Sequence, residues 1–148
     1  MKFPKMVEDV ISEIFISSDK YEKYGDLRSR QLIRVLNNVA DDILVEAVVQ
    51  VFEETNRMES HFSDQEIVGR ILEERKPFTS IDPEKILERC LAGWNKSVKQ
   101  FPNWLIEVYG VEKIHATLAT VGNKELSKIE REKLTTVRWW IHTIVKAE

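Results

Sequence analysis

The chain has 148 residues, with 22 basic and 25 acidic side chains and a formal net charge of −3. Domains usually contain about 100–150 residues, so we expect a single domain over residues 1–148. Hydrophobic residues make up 43% of the chain and charged residues 32%, which excludes disordered, collagen-like and low-complexity proteins. The small negative net charge disfavours general nucleic-acid binding, because no overall positive field attracts a polyanion.

Cysteine content and hydropathy indicate the compartment. The single cysteine, Cys90, cannot form an internal disulfide, and the first residues lack the pattern of a signal peptide. The longest apolar stretch, residues 43–52, is interrupted by Glu46 and Gln50 and is shorter than the roughly 20 residues that cross a bilayer. We therefore expect a cytoplasmic protein without a membrane span.

The first half of the chain shows helical periodicity. Apolar residues recur at helical spacing over residues 4–17, and Asp26 can cap a second helix over 27–39. In segment 42–56, several valines would also suit a buried strand, but Ala47, Val48 and Val51 follow the helical spacing. The wide apolar arc of this third helix predicts a central position. The pair Asn37-Asn38 leaves open whether the second and third helices are separate or one bent helix.

The second half carries several signals for helix ends. Ser63 and Glu66 match a capping box for a helix that ends before Pro77, and Asp82-Pro83 predicts the start of the next helix. The inner face of that next helix should consist of Ile86, Leu87, Cys90, Leu91 and Trp94. Pro102 suits the start of a further helix. Gly110 and Gly122 suit left-handed helix ends, and a last helix is expected over 125–146.

These elements predict an all-α protein, a compact array or bundle of seven to eight helices. The helices should cover roughly three quarters of the chain, compared with about one third in a typical globular protein. The alternative is a short α-solenoid-like stack of helix pairs between residues 63 and 121.

Candidate catalytic and metal-ligating residues are sparse. The five glycines stand apart from one another, so the sequence contains no glycine-rich phosphate loop. Cys90 falls on an apolar helix face and is predicted to be a core residue. Glu112 and His115 form one Glu-x-x-His step, whereas helical di-metal sites need two such steps and further carboxylates. We therefore expect no catalytic residue, metal or cofactor.

Two charged clusters support alternative functions. The carboxylate pairs Asp41-Asp42 and Glu53-Glu54 would allow a small all-α metal-dependent hydrolase that uses helix carboxylates, although helix capping is the simpler explanation for the first pair. A second cluster contains Arg28, Arg30 and Arg34, which could bind an anion, an acidic partner or nucleic acid. A solvated face with local ion pairs is the more common role of such arginines.

Trp139 is the most informative residue for function. The apolar arc of the last helix contains Leu126, Ile129, Leu134, Val137, Trp140, Ile141 and Ile144. Trp139 falls outside this arc, beside Lys128, Thr135 and Lys146, where either another helix or a partner must cover its indole ring. We therefore expect a non-enzymatic interaction or regulatory module that binds a protein partner or a second copy of itself, with these four residues in the interface.

Overall fold

The computed structural model describes residues 3–147, with side chains up to Lys146, and within these residues the protein is all-helical. Helices make up 76% of the structure, and they pack compactly, which confirms the predicted fold class. Two 3₁₀ turns, Leu36–Asn38 and Met58–Ser60, precede the fourth and fifth helices. The α-helices in the described residues are α1 (Val7–Asp19), α2 (Tyr21–Tyr24), α3 (Leu27–Val35), α4 (Asp41–Glu53), α5 (His61–Arg75), α6 (Pro83–Cys90), α7 (Gln100–Tyr109), α8 (Val111–Gly122) and α9 (Lys128–Ala147). No helix between residues 3 and 147 has both the length and the hydropathy that crossing a membrane requires.

Helix α4 is the central element, as its sequence predicts. It packs against α1, α5 and α6, and Ala47, Val48 and Val51 are at most 2% exposed. Val45 and Val49 are also buried, so the apolar arc of α4 is wider than the stripe of a surface helix. Neighbouring helices therefore bury α4 from several sides.

The core continues through large aromatic side chains in the second half of the chain. Phe101 lies between Phe52 and Trp94, with ring centroids 5.0 and 5.9 Å away. The buried indole N–H of Trp94 donates to the carbonyl of Val98 over 2.9 Å, and that of Trp104 donates to the carbonyl of Pro77 over 2.8 Å. Because each N–H group has a hydrogen-bond partner, burying the two indoles leaves no N–H donor unsatisfied in the core.

The second and third predicted helices are separate. Helix α3 ends at Val35, and the 3₁₀ turn is followed by extended backbone at Val39 and Ala40, where α4 begins. The guanidinium of Arg75 donates to the carbonyls of Leu36 and Val39, the latter over 2.9 Å. A side chain from α5 therefore holds the link between α3 and α4.

Two helix starts test the capping predictions. Asp82 caps α6 as predicted, since its Oδ1 accepts a hydrogen bond from the backbone N–H of Glu84 over 2.9 Å. The capping box predicted at Ser63 is wrong, because α5 begins two residues earlier, at His61. A reciprocal capping box forms instead at the start of α9, where Ser127 and Glu130 each accept from the other's backbone N–H over 3.1 Å.

The two glycines predicted to end helices behave differently. Gly110 joins α7 to α8 with a positive φ of 86°, although its ψ of 155° is extended rather than left-handed helical. The prediction for Gly122 is wrong, because α8 includes this residue and its φ is not positive. A Cβ atom on Gly122 would lie 2.7 Å from the guanidinium of Arg138, which donates to the carbonyl of Leu118. Gly122 therefore leaves space for Arg138 to approach α8.

Candidate interaction surface

Helix α9 buries one side and exposes the other. It packs against α7 and α8 through Leu134, Val137 and Ile141, each at most 1% exposed. At about 100° per residue, Val137 and Ile141 lie about 200° around the helix axis from Trp139. Trp139 is 57% exposed, so no helix in the described part of the chain covers its indole ring. Of the two predicted explanations for Trp139, coverage by another helix does not occur among residues 3–147.

Trp140 holds the neighbouring indole in place. Its ring is partly buried against the core, and its N–H group donates to the carbonyl of Lys96 over 2.9 Å. The rings of Trp139 and Trp140 meet edge to face, with centroids 4.7 Å apart and planes at 67°. This contact favours one orientation of the exposed Trp139 ring, which reduces the conformational entropy that binding would cost.

The outward face of α9 consists of exposed residues at helical spacing around Trp139: Lys128, Glu132, Thr135, Trp139, Thr143 and Lys146. The hydroxyl of Thr135 donates to the carbonyl of Arg131 over 3.1 Å, and that of Thr143 to the carbonyl of Trp139 over 2.9 Å. Each hydroxyl therefore already uses its donor within the helix. Burying these threonines under a partner would leave no hydroxyl proton unpaired.

Opposite charges flank Trp139 at equal distances along this face. Glu132 lies seven residues before Trp139 and Lys146 seven residues after it, and neither forms an ion pair within the described residues. Seven residues are close to two helical turns, so the three side chains share one stripe. At 1.5 Å per residue, the stripe from Glu132 to Lys146 is about 21 Å long.

The prediction that Ile129 belongs to the buried face of the last helix is wrong. Ile129 was expected to face inward, but its side chain is 58% exposed in the first turn of α9. It lies at the edge of the arc and lines an open pocket with Met58 and Lys133. The ammonium of Lys133 donates to the carbonyl of Ala92 over 2.6 Å, and burial, together with the nearby charge of Lys96, lowers the pKa of Lys133. This hydrogen bond ties α9 to the loop after α6.

The structure does not bring the three predicted arginines into one free cationic patch. Arg28 forms an ion pair of 2.6 Å with Glu13, which is 5% exposed, and thereby joins α3 to α1. Arg30 lies 3.5 Å from Asp26 on the surface, and Arg34 is exposed one turn further along α3. Arg28 therefore contributes to packing rather than to an open anion site.

Arginine side chains also form ion pairs with carboxylates of α4. Asp41 accepts hydrogen bonds from Arg75 over 3.2 Å and from the backbone N–H of Phe78 over 3.0 Å. It lies in the first turn of α4, with Ala40 at the capping position.

Further along α4, Arg89 binds Glu46 over 2.8 Å and Glu53 over 2.6 Å, and the hydrogen bonds from Arg89 to Glu46 hold the pKa of Glu46 below its usual value. Within residues 3–147, no cluster of three or more His, Cys, Asp and Glu side chains is placed to hold a metal ion.

Cys90 is fully buried, as predicted, and burial raises the pKa of its thiol well above the usual 9.0. Glu112 and His115 are both exposed on α8.

Sequence reasoning missed a small cavity between α1, α2, α3 and α5. Its lining includes Ser18, Tyr21 and Phe62, which come from separate parts of the chain. No local pattern connects these residues, so only the tertiary structure shows them together.

Comparisons of the chain with protein-family models, with curated proteins and with solved structures found no match.

Proposed function

We propose that this protein is a non-enzymatic interaction module that pairs with a second copy of itself through the outward face of α9. The observation that carries the proposal is the exposure of Trp139 at the centre of this face, opposite the buried side of the helix. Tryptophan is enriched among the residues that dominate binding energy at protein interfaces. Its contact with Trp140 supports the proposal further, because a held side chain loses less entropy on binding.

The charge pattern favours a second copy as the partner. In an antiparallel pair of α9 helices related by a two-fold axis, the two Trp139 side chains meet at the centre. Glu132 of each copy then lies opposite Lys146 of the other, because the two residues are equally far from Trp139. Thr135 of each copy likewise lies opposite Thr143 of the other, because each is four residues from Trp139. Self-pairing thus gives each of these two charges a partner that it lacks among the described residues of its own chain.

The contact stripe is short, which limits the strength of the pairing. A helix face about 21 Å long and about 10 Å wide covers only about 200 Å² on each copy, well below the roughly 1,200–2,000 Å² that stable interfaces usually bury in total. We therefore expect a reversible dimer whose population depends on protein concentration.

The two alternative functions receive less support from the geometry. The carboxylates of Glu46 and Glu53 are engaged by Arg89, which weakens the case for a hydrolase that binds a metal through α4. The ion pair of Arg28 with Glu13 weakens the case for a nucleic-acid site on α3. A single buried cysteine is compatible with the reducing cytoplasm, which is where we place the protein.

Sedimentation velocity over a range of concentrations tests this function. The wild-type protein should shift from monomer to dimer as concentration rises, and Trp139→Ala should weaken dimerisation by roughly thirtyfold or more. Phe78→Ala is the matched control, because Phe78 is 64% exposed and lines a groove with Lys76, Glu107 and Val108, none of which belongs to α9. A wild-type protein that stays monomeric at every concentration would rule out self-pairing.

A further inference from the structure

A cavity of about 280 Å³ lies where the end of α1, the short α2, the start of α3 and the first half of α5 meet. Ligand pockets usually measure about 300–1,000 Å³, so this cavity fits a single small ring system and is too small for a whole nucleotide. Its lining residues are Ser18, Tyr21, Asp26, Ser29, Phe62, Ser63, Glu66, Ile67 and Arg70.

The inner part of the lining contains hydroxyl groups. Ser18 is 7% exposed, and its Oγ atom has no hydrogen-bond partner. Buried polar atoms without a partner are uncommon, since each loses its hydrogen bonds to water without replacement. Ser29 is 2% exposed and lines the same cavity. In the rotamer shown, the Oγ atom has almost no accessible surface, so the Ser18 side chain must rotate about χ1 before a ligand with hydrogen-bonding edges can supply the partner that the hydroxyl lacks.

Two exposed aromatic rings stand at the rim of the cavity. Tyr21 on α2 is 55% exposed, and Phe62 on α5 is 51% exposed. Large apolar rings are costly to leave in water, and aromatic side chains bind planar heterocycles by stacking. The rim therefore favours a flat, aromatic ligand.

The charges in the lining disfavour an anion. Arg70 is paired with Asp26, which also lies 3.5 Å from Arg30, and the lining itself holds one positive charge, on Arg70, and two negative charges, on Asp26 and Glu66. Glu66 is exposed in the lining and has no ion pair within the described residues. This carboxylate can accept hydrogen bonds from an amino group, and it would repel a phosphate or a carboxylate.

We propose that this cavity binds a neutral planar heterocycle with an exocyclic amino group, a ligand of the size and chemistry of adenine. Tyr21 and Phe62 stack on the ring, Glu66 accepts from the amino group, and Ser18, after rotation of its side chain, donates to a ring nitrogen. The site is separate from α9 and does not depend on self-pairing.

Titration of adenine into the ¹⁵N-labelled full chain, followed by amide chemical shifts, tests the proposal. Saturable shifts are expected at Ser18, Tyr21 and Phe62. Purine, which lacks the amino group, should bind more weakly than adenine by about 2- to 10-fold, the range expected for one hydrogen bond. Trp139→Ala should bind adenine as the wild type does, so a failure of the α9 proposal stays distinguishable from a failure of this one.

Two pairs of variants provide matched controls. Ser18→Ala should weaken adenine binding by about 2- to 10-fold, whereas Ser17→Ala should not, because the Ser17 hydroxyl is also buried and unpartnered but does not line the cavity. Tyr21→Ala should weaken binding at least about fivefold through lost stacking, whereas Tyr24→Ala on the same helix should not. Absence of saturable shifts at millimolar adenine, shifts that map elsewhere, or equal effects within either pair would overturn the proposal.

Discussion

Trp139 and Trp140 are adjacent in the chain, and their indole rings touch edge to face at 4.7 Å, yet they occupy different environments. The N–H group of Trp140 is bound to the carbonyl of Lys96, and its ring packs against the core. The ring of Trp139 is 57% exposed on the opposite side from the buried residues of α9. Trp140 thus anchors the helix, while Trp139 stays exposed, and the proposed self-pairing would cover it.

Alanine substitutions at these two positions should have different effects. Trp140→Ala should lower the free energy of unfolding by about 3 kcal/mol, because it removes core packing and a hydrogen bond. Trp139→Ala should lower it by no more than about 1.5 kcal/mol, the usual contribution of an aromatic pair. Thermal melting and circular dichroism measure both effects. Equal losses of stability for the two variants, with no change in assembly, would mean that Trp139 serves only intramolecular packing.

Val48→Asp should prevent folding. Val48 lies in the middle of α4 and is 1% exposed, and an unpaired buried charge costs several kcal/mol against a total stability of about 5–15 kcal/mol. The control is Gln50→Asp, which places the same charge at an exposed position of α4 and should still fold, at a cost of about 1 kcal/mol, because it removes the hydrogen bond to Glu46 and places two carboxylates one turn apart. A soluble Val48→Asp variant with a cooperative thermal transition would contradict the central position of α4.

Cys90 should be unreactive in the folded protein and should make stability depend on alkaline pH. Because burial raises the pKa of its thiol, the folded state favours the protonated form, and this contribution is complete below the usual pKa of 9.0. Above that pH the free energy of unfolding should fall by up to about 1.4 kcal/mol per pH unit relative to Cys90→Ala. Denaturant titrations at several pH values measure the difference. Rapid alkylation of the native thiol at neutral pH would disprove burial.

Arg89 should stabilise the contact between α6 and α4. Arg89→Met should lower the free energy of unfolding by about 1 kcal/mol, since its ion pairs with Glu46 and Glu53 are partly exposed. The pKa of Glu46 is lowered, so the wild-type advantage should persist above pH 4.5 and disappear as pH falls through the lowered pKa.

The carboxylates of Glu46 and Glu53 should not bind a divalent metal ion, because Arg89 already pairs with both. Millimolar Mg²⁺ or Mn²⁺ should therefore not raise the melting temperature of the wild type. A clear rise would instead support metal binding by Glu46 and Glu53.

Local periodicity was sufficient to predict most of the core. The apolar arc of α4 and the inner face of α6 depend on spacing within one helix, and residues such as Val48 and Cys90 are buried as expected. Ile129 has a similar spacing but lies at the edge of its arc, in the first turn of α9, and stays exposed. Periodicity shows which side of a helix is apolar, but not how far its neighbours extend along it.

Capping and charge patterns were less decisive, because tertiary contacts choose between equivalent motifs. Ser63 and Ser127 are both followed three residues later by Glu, yet only Ser127 forms a capping box. The region before Ser63 is held by Arg57, which binds Asp64 over 2.9 Å and Asp19 over 2.7 Å, while α5 begins at His61. Arg57 and Asp19 are far apart in the chain, so sequence spacing could not reveal this contact.

A charge-reversal cycle at Glu132 and Lys146 is the most direct test of self-pairing through α9. Glu132→Lys and Lys146→Glu should each weaken dimerisation in sedimentation experiments, because each places like charges opposite each other twice in the two-fold pair. The double variant should recover dimerisation close to the wild-type level, and Glu112→Lys, at an exposed position of α8, should have little effect. Single variants that dimerise like the wild type, or a double variant no better than the singles, would contradict the antiparallel pairing of α9.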